Sequence, residues 1–149
     1  MNPSSHNLAA GVVIVQEDQV LLVRDEHSWC LPKGSPEMGE PLFQTAIREA
    51  KEETGFDVAI TNVAFVTEYR TQQWGQYLQV YYEARIRGGV MEASDPKEIS
   101  EIRFVHADQV RDLMRYRAWI VPLETWLRDR ETSYHWFDLD AEGFEISCD

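Results

Sequence analysis

Residues 34–56 read GSPEMGEPLFQTAIREAKEETGF. Pro41 suits the first position of a helix, where its missing N–H costs nothing, and Gly55 suits a helix end, so the spacing predicts a helix between them. At about 100° per residue, Leu42, Phe43, Ala46, Ile47 and Ala50 form an apolar stripe. Glu49, Glu52 and Glu53 fall together on the neighbouring edge. These i,i+3 and i,i+4 spacings set the side-chain roots about 5–6 Å apart, where like charges repel unless a cation intervenes. A hard divalent ion such as Mg²⁺ suits an all-oxygen set of this kind.

Glutamates are good helix formers and usually face solvent, so REAKEE alone reads as a surface. The surrounding residues change that reading. Gly34, five residues, Glu40, seven residues, then Arg48, Glu49, Ala50, Lys51, Glu52, Glu53, Thr54, Gly55 and Phe56 fill every fixed position of a 23-residue pattern. This resembles the Nudix box, the signature of hydrolases that cleave nucleoside diphosphates linked to another moiety.

The resemblance implies an α/β/α sandwich with a mixed β-sheet over about residues 9–128, within a domain taken as 1–128. It implies water attacking phosphorus in a pyrophosphate linkage, with Mg²⁺ or Mn²⁺ as cofactor. Glu49, Glu52 and Glu53 are carried over as metal ligands, and either Glu53 or Glu49 as the group that orients or deprotonates water. The backbone carbonyl of Lys33 and a later glutamate, Glu98 or alternatively Glu101, complete the expected ligand set. Arg48 is expected to position a carboxylate, and Glu40 to stabilise the helix start. The string LPKG at 31–34 is similar to that of dinucleoside-polyphosphate and diphosphoinositol-phosphate hydrolases, and Lys33 can add a cation beside a polyphosphate chain. Lys33 and Gly34, with Trp74 and Tyr69 of the aromatic stretch around the turn that follows the box, are the candidate substrate contacts.

Ahead of the box, Ala9–Val15 and Gln19–Arg24 read as the two strands of a hairpin around Gln16–Asp18. Pro32 and Gly34 argue against regular structure in the loop that feeds the helix. Beyond it, Val58–Tyr69 and Gln76–Ile86 read as strands joined by the turn Thr71–Gly75, and Lys97–Val105 ends in a short strand. A helix of about ten residues is expected from His106, and another over Trp119–Arg128 with Pro122 in its first turn. Residues 129–149 carry seven acidic side chains and one arginine among four aromatics. This tail can add an edge strand, pack against a second subunit or remain partly disordered.

The balance of 14 Lys+Arg against 26 Asp+Glu gives a formal net charge of −12. Such a field opposes nucleic acid and anionic membranes, which bind through positive surfaces, but metal ions can reverse the sign locally for a small phosphate substrate. Cys30 and Cys148 imply no disulfide framework. With no basic segment before a short apolar run at the N-terminus, the expectation is a cytoplasmic protein with no membrane partner. A homodimer is the expected assembly. Three functions stay open: a nucleotide pyrophosphohydrolase, a narrower Ap4A-type hydrolase, and a non-catalytic ligand sensor, a class that tends to lose box carboxylates kept here.

Overall fold

The computed structural model describes residues 1–146. Its strands are β1 (His6–Val13), β2 (Val15–Gln16), β3 (Gln19–Arg24), β4 (Trp29–Cys30), β5 (Lys33–Gly34), β6 (Phe56–Thr71), β7 (Gly75–Gly89), β8 (Glu101–His106) and β9 (Ser133–Asp138). The helices are α1 (Leu42–Thr54), α2 (Val110–Leu113), α3 (Arg117–Asp129) and α4 (Leu139–Glu142), with a 3₁₀ turn at Ala107–Gln109. A five-stranded mixed sheet has the order β5-β1-β7-β6-β9, with β1 parallel to β7 and β9 parallel to β6. In the second sheet, β3 lies between β2 and β4 and also pairs with β8.

Two apolar layers cover the sheets. Ala46 and Ala50 of α1 pack with Ala10, Val12, Ile14, Leu21, Val58 and Ala84. On the other side Ile120, Leu123 and Trp126 of α3 pack with Val13, Leu22, Phe65 and Val105. The α/β/α sandwich expected from the resemblance is therefore present, with its sheet divided in two.

Several local expectations are corrected. The first hairpin splits: β1 ends at Val13, the Ile14 carbonyl accepts the Leu21 N–H at 3.0 Å, and β3 belongs to the other sheet. Both strands are almost continuously apolar, so periodicity cannot assign them to different sheets. Lys33–Gly34 is not irregular but pairs antiparallel with Ala10 and Gly11, and Val12 N–H donates to the Pro32 carbonyl. Gly11 permits this approach, since a Cβ there would lie 2.3 Å from that oxygen. The helix expected from His106 shrinks to the 3₁₀ turn plus α2, because Met114 turns extended and bridges to Trp29. The next helix starts at Arg117, earlier than expected, which leaves Pro122 beyond its first turn. Pro41 caps α1 rather than entering it. Phe43, assigned to the buried stripe, is 45% exposed; the buried positions include Thr45, Ala46, Glu49, Ala50, Glu53 and Thr54.

The tail contributes β9 at the sheet edge and the short α4, and Phe137 and Leu139 are buried against Tyr69 and Ala118. Cys30 is buried with a free thiol, and Cys148 lies outside the described residues. Among the described residues no helix is long and apolar enough to cross a membrane.

Gly55 ends α1 with φ 81°, its N–H donating to Lys51 O at 2.9 Å. An added Cβ would lie 1.9 Å from the Val90 carbonyl oxygen. Gly55→Ala is therefore expected to destabilise by about 1–3 kcal/mol, through strain and displacement of the loop after β7, measured by urea unfolding.

Candidate active site

Helix α1 delivers Glu49 and Glu53 to the cleft half-hidden under the loop before it. The two are 8% and 7% exposed, unusual burial for ionisable groups on a short helix. Glu53 accepts the Lys33 backbone N–H at 3.1 Å on Oε1. Glu49 leans on Gly34, where a Cβ would stand 2.1 Å from its carboxyl carbon. The glycine thus makes room for a carboxylate at the base of the loop.

Arg48 ties this loop to the helix. Its Nε and Nη2 hold Glu40 through two 2.9 Å bonds, Nη2 also reaches the Ser35 carbonyl at 3.0 Å, and Nη1 donates to Glu49 at 2.8 Å. Glu52 is reached by Nη1 only at 3.4 Å and stays largely exposed. Hydrogen bonds from Arg48, then from Thr45, pull the Glu40 carboxyl down to about 2. Glu40 is the clamp at the helix start and Arg48 its partner.

The Glu53 and Glu49 carboxyls are shifted the other way. Burial pushes Glu53 up to about 8; the Lys33 N–H and ammonium oppose this, and the charges of Glu49 and Glu98 add to it. Glu49 is also raised, chiefly by burial, against the pull of Arg48. Glu98 lines the same cleft as Glu53, together with Asp25, Glu26, His27, Lys33 and Lys97. Glu101 lies on β8, ion-paired with Arg103.

Lys33 is central to the loop. Its ammonium lies 4.5 Å from the centre of the Trp119 ring. Burial alone would lower its pKa, but Cys30 and the carboxylates of Glu53, Asp25 and Glu49 raise it, so it stays charged. Lys33 borders both the carboxylate cleft and a second, aromatic cavity of about 480 Å³. That cavity is walled by Tyr69, Trp74, Tyr77, Gln79, Tyr116 and Trp119. Tyr69 and Tyr77 stack at 5.0 Å, and Trp74 meets Phe144 edge-on at 4.7 Å.

Among the described residues no three ligating side chains converge on one point. The helical rows bring Glu49, Glu52 and Glu53 to one edge, but Arg48 and the Lys33 N–H draw their carboxylates apart. The donor set nevertheless fits a hard divalent ion. It is all oxygen, it holds two buried carboxylates with incomplete compensation, and Gly34 lets the Glu49 carboxyl lie directly against the loop. Glu49, Glu52, Glu53, Glu98 and the Lys33 carbonyl are the groups available to it.

The sequence did not point to Asp25, Trp119 or Gln79. Gln79 had a signal: a polar residue between Tyr77 and Tyr81 on the alternation of β7.

The raised Glu53 carboxyl gives a pH dependence with a definite sign. The native protein retains a proton that the unfolded chain releases in the usual carboxylate range, so the stabilisation is full below that range and is lost as pH rises through about 8. In EDTA, Tm is expected to fall between about pH 6 and pH 9, and added Mg²⁺ should raise Tm more at the alkaline end, since it replaces the proton. Differential scanning fluorimetry with and without Mg²⁺ checks this, and an ion effect independent of pH contradicts it.

A family profile described as NUDIX domain matches residues 5–128. Nudix hydrolase 5 of Arabidopsis thaliana is 25% identical over 107 residues, covering 66% of this chain but only 35% of that protein. An RNA pyrophosphohydrolase of Novosphingobium aromaticivorans is 30% identical over 111 residues, covering 61% of this chain and 68% of its own. Among solved structures, a NUDIX hydrolase from Nitrosomonas europaea superposes with a TM-score of 0.78 at 20% identity, covering 92% of this chain and 81% of the other. At that identity the likeness speaks for the fold.

Proposed function

This chain belongs to the Nudix family, and from that premise we propose that it hydrolyses a diphosphate linkage in a nucleotide-type substrate, with Mg²⁺ or Mn²⁺ as the working ion. The observation that carries the reading is the pair Glu49 and Glu53, buried one helical turn apart beside an aromatic cavity of nucleoside size. Bound divalent ions would neutralise phosphate oxygens and acidify water.

The chain's own residues supply the rest. Glu49, Glu52, Glu53, Glu98 and the Lys33 carbonyl would hold the ions, and Glu53 or Glu49 would orient or deprotonate the attacking water. Arg48 fixes Glu49 relative to the loop. The Lys33 ammonium faces the phosphates from the boundary of the two cavities, Gly34 gives the chain close backbone access, and Tyr69 and Trp74 border the nucleoside. A cytoplasmic small-molecule enzyme, without nucleic acid or membrane partners and assembled as a homodimer, completes the proposal. The −12 charge supports the small-molecule part, because a long anionic RNA would be repelled.

A dinucleoside-polyphosphate substrate is the second reading. It is favoured by Lys33, whose position at the boundary of cleft and cavity suits a phosphate chain running from one to the other. Turnover of dNTPs, Ap4A, ADP-ribose and nucleotide sugars with Mg²⁺ or Mn²⁺, products read by chromatography, separates the two. Ap4A well ahead of dNTPs selects the second. Binding without turnover across the panel selects a sensor.

A further inference from the structure

The floor of the aromatic cavity holds a short polar chain whose direction is fixed by burial. Tyr81 is 4% exposed, and its hydroxyl lies 2.8 Å from Gln79 Oε1. No other acceptor for that proton is found among the described residues. A buried hydroxyl that keeps its proton to itself bears its whole desolvation penalty, so Tyr81 donates to Gln79. This settles the orientation of the amide, which geometry alone leaves ambiguous. With Oε1 committed to Tyr81, Nε2 points to the Tyr69 oxygen at 3.3 Å.

Tyr69 therefore accepts from Gln79. Trp119 also acts on its oxygen through a side-chain hydrogen bond that opposes the larger effect of burial. The proton of Tyr69 then has no acceptor among the described residues, although the residue is only 4% exposed. Tyr69 and Gln79 both border the cavity. The protein thus presents an O–H donor to whatever is seated there, and a ligand that offers another donor leaves two protons opposed.

We infer that the cavity selects a nucleobase that bears a carbonyl oxygen, as guanine, hypoxanthine and uracil do, at the place where adenine or cytosine bears its exocyclic amine, with Tyr69 as the specificity-determining donor and Gln79 and Tyr81 as positioning residues. The inference rests on the cavity being the nucleoside seat of the proposed reaction. Guanine and adenine differ in the required sense, an oxygen acceptor on one standing where an amine donor stands on the other. Ring nitrogens let adenine accept as well, so the selectivity is a ratio and not an exclusion.

The test compares guanosine and inosine forms with the adenosine form of whichever linkage is turned over, in wild type, Tyr69→Phe and Tyr81→Phe. Wild type is expected to favour the keto forms by about tenfold or more in kcat/KM, mainly through KM. Tyr69→Phe should bring the ratio to within about threefold. Tyr81→Phe frees the amide to turn, so it should lower the same ratio with Tyr69 intact, an effect that general loosening of the pocket would not restrict to one member of the pair. A wild-type ratio near one, or an adenosine preference, overturns the inference. So does an equal loss on both members in Tyr69→Phe, which would assign the proton to a ribose or phosphate oxygen. If no nucleotide is turned over, the hydrolase reading fails separately, and binding of GMP against AMP still decides the base preference. Tryptophan fluorescence reports it through Trp74 and Trp119 at the cavity wall. Tighter GMP binding that Tyr69→Phe abolishes supports the inference, and equal binding overturns it.

Discussion

Glu53→Gln is expected to fold like the wild type and to lose about a thousandfold in kcat at saturating Mg²⁺. Glutamine keeps the volume and an oxygen able to accept the Lys33 N–H, which lies 3.1 Å from Glu53 Oε1. What disappears is the charge. Glu53 is one of two buried carboxylates in the cleft, and its neighbours Glu49 and Glu98 already disfavour an unbalanced charge there. Without bound ions the neutral amide is the easier group to bury, so the variant should match or exceed the wild type in Tm in EDTA above about pH 8. Its Mg²⁺-induced rise in Tm should shrink. Loss of turnover together with retained alkaline stability separates a ligand or base from a structural residue. An unchanged kcat contradicts the assignment.

Gly34→Ala is expected to lose about a hundredfold in kcat/KM with only a small change in Tm. The new methyl would occupy space now filled by the Glu49 carboxyl, 2.1 Å from its carbon. The obstructed atoms are the far end of a flexible side chain, so the fold escapes the clash by turning that carboxylate away. Function has no such escape, because Glu49 is a proposed ligand and its position is set jointly by Gly34 and by the 2.8 Å bond from Arg48. A large loss of Tm would assign Gly34 to folding, and full activity would remove Glu49 from the site.

The box helix was legible because its signals are local. Pro41, Gly55 and the i,i+4 rows act within one element, and α1 spans Leu42–Thr54, with Gly55 at its end as expected and Pro41 capping it from one position outside. Long-range pairing was not legible. The apolar runs of β1 and β3 look alike in sequence, but one continues beside β7 and the other beside β8. The same limit left β9, an edge strand, as one of three options for the tail: Tyr134 and Trp136 face outward, Phe137 inward, and the choice depends on β6 being there to pair with.

In the candidate site, sequence proposed the residues while tertiary structure supplied their relations. The spacing of Glu49 and Glu53 was readable, but their burial depends on the loop of Lys33 and Gly34 folding back along β1. The cation over Trp119 joins α3 to that loop, a contact no local pattern reports. Tyr69 and Trp74 both border the cavity, whereas Gln79 acquires meaning only from Tyr81 beneath it and Tyr69 beside it.

Turnover of the nucleotide panel in ¹⁸O-labelled water, with Mg²⁺ and with excess EDTA, tests the central claim most directly. The account predicts metal-dependent cleavage with one labelled oxygen in a phosphate-bearing product, the mark of water attacking phosphorus. Cleavage that persists in EDTA, or label found only on a sugar carbon, would contradict it.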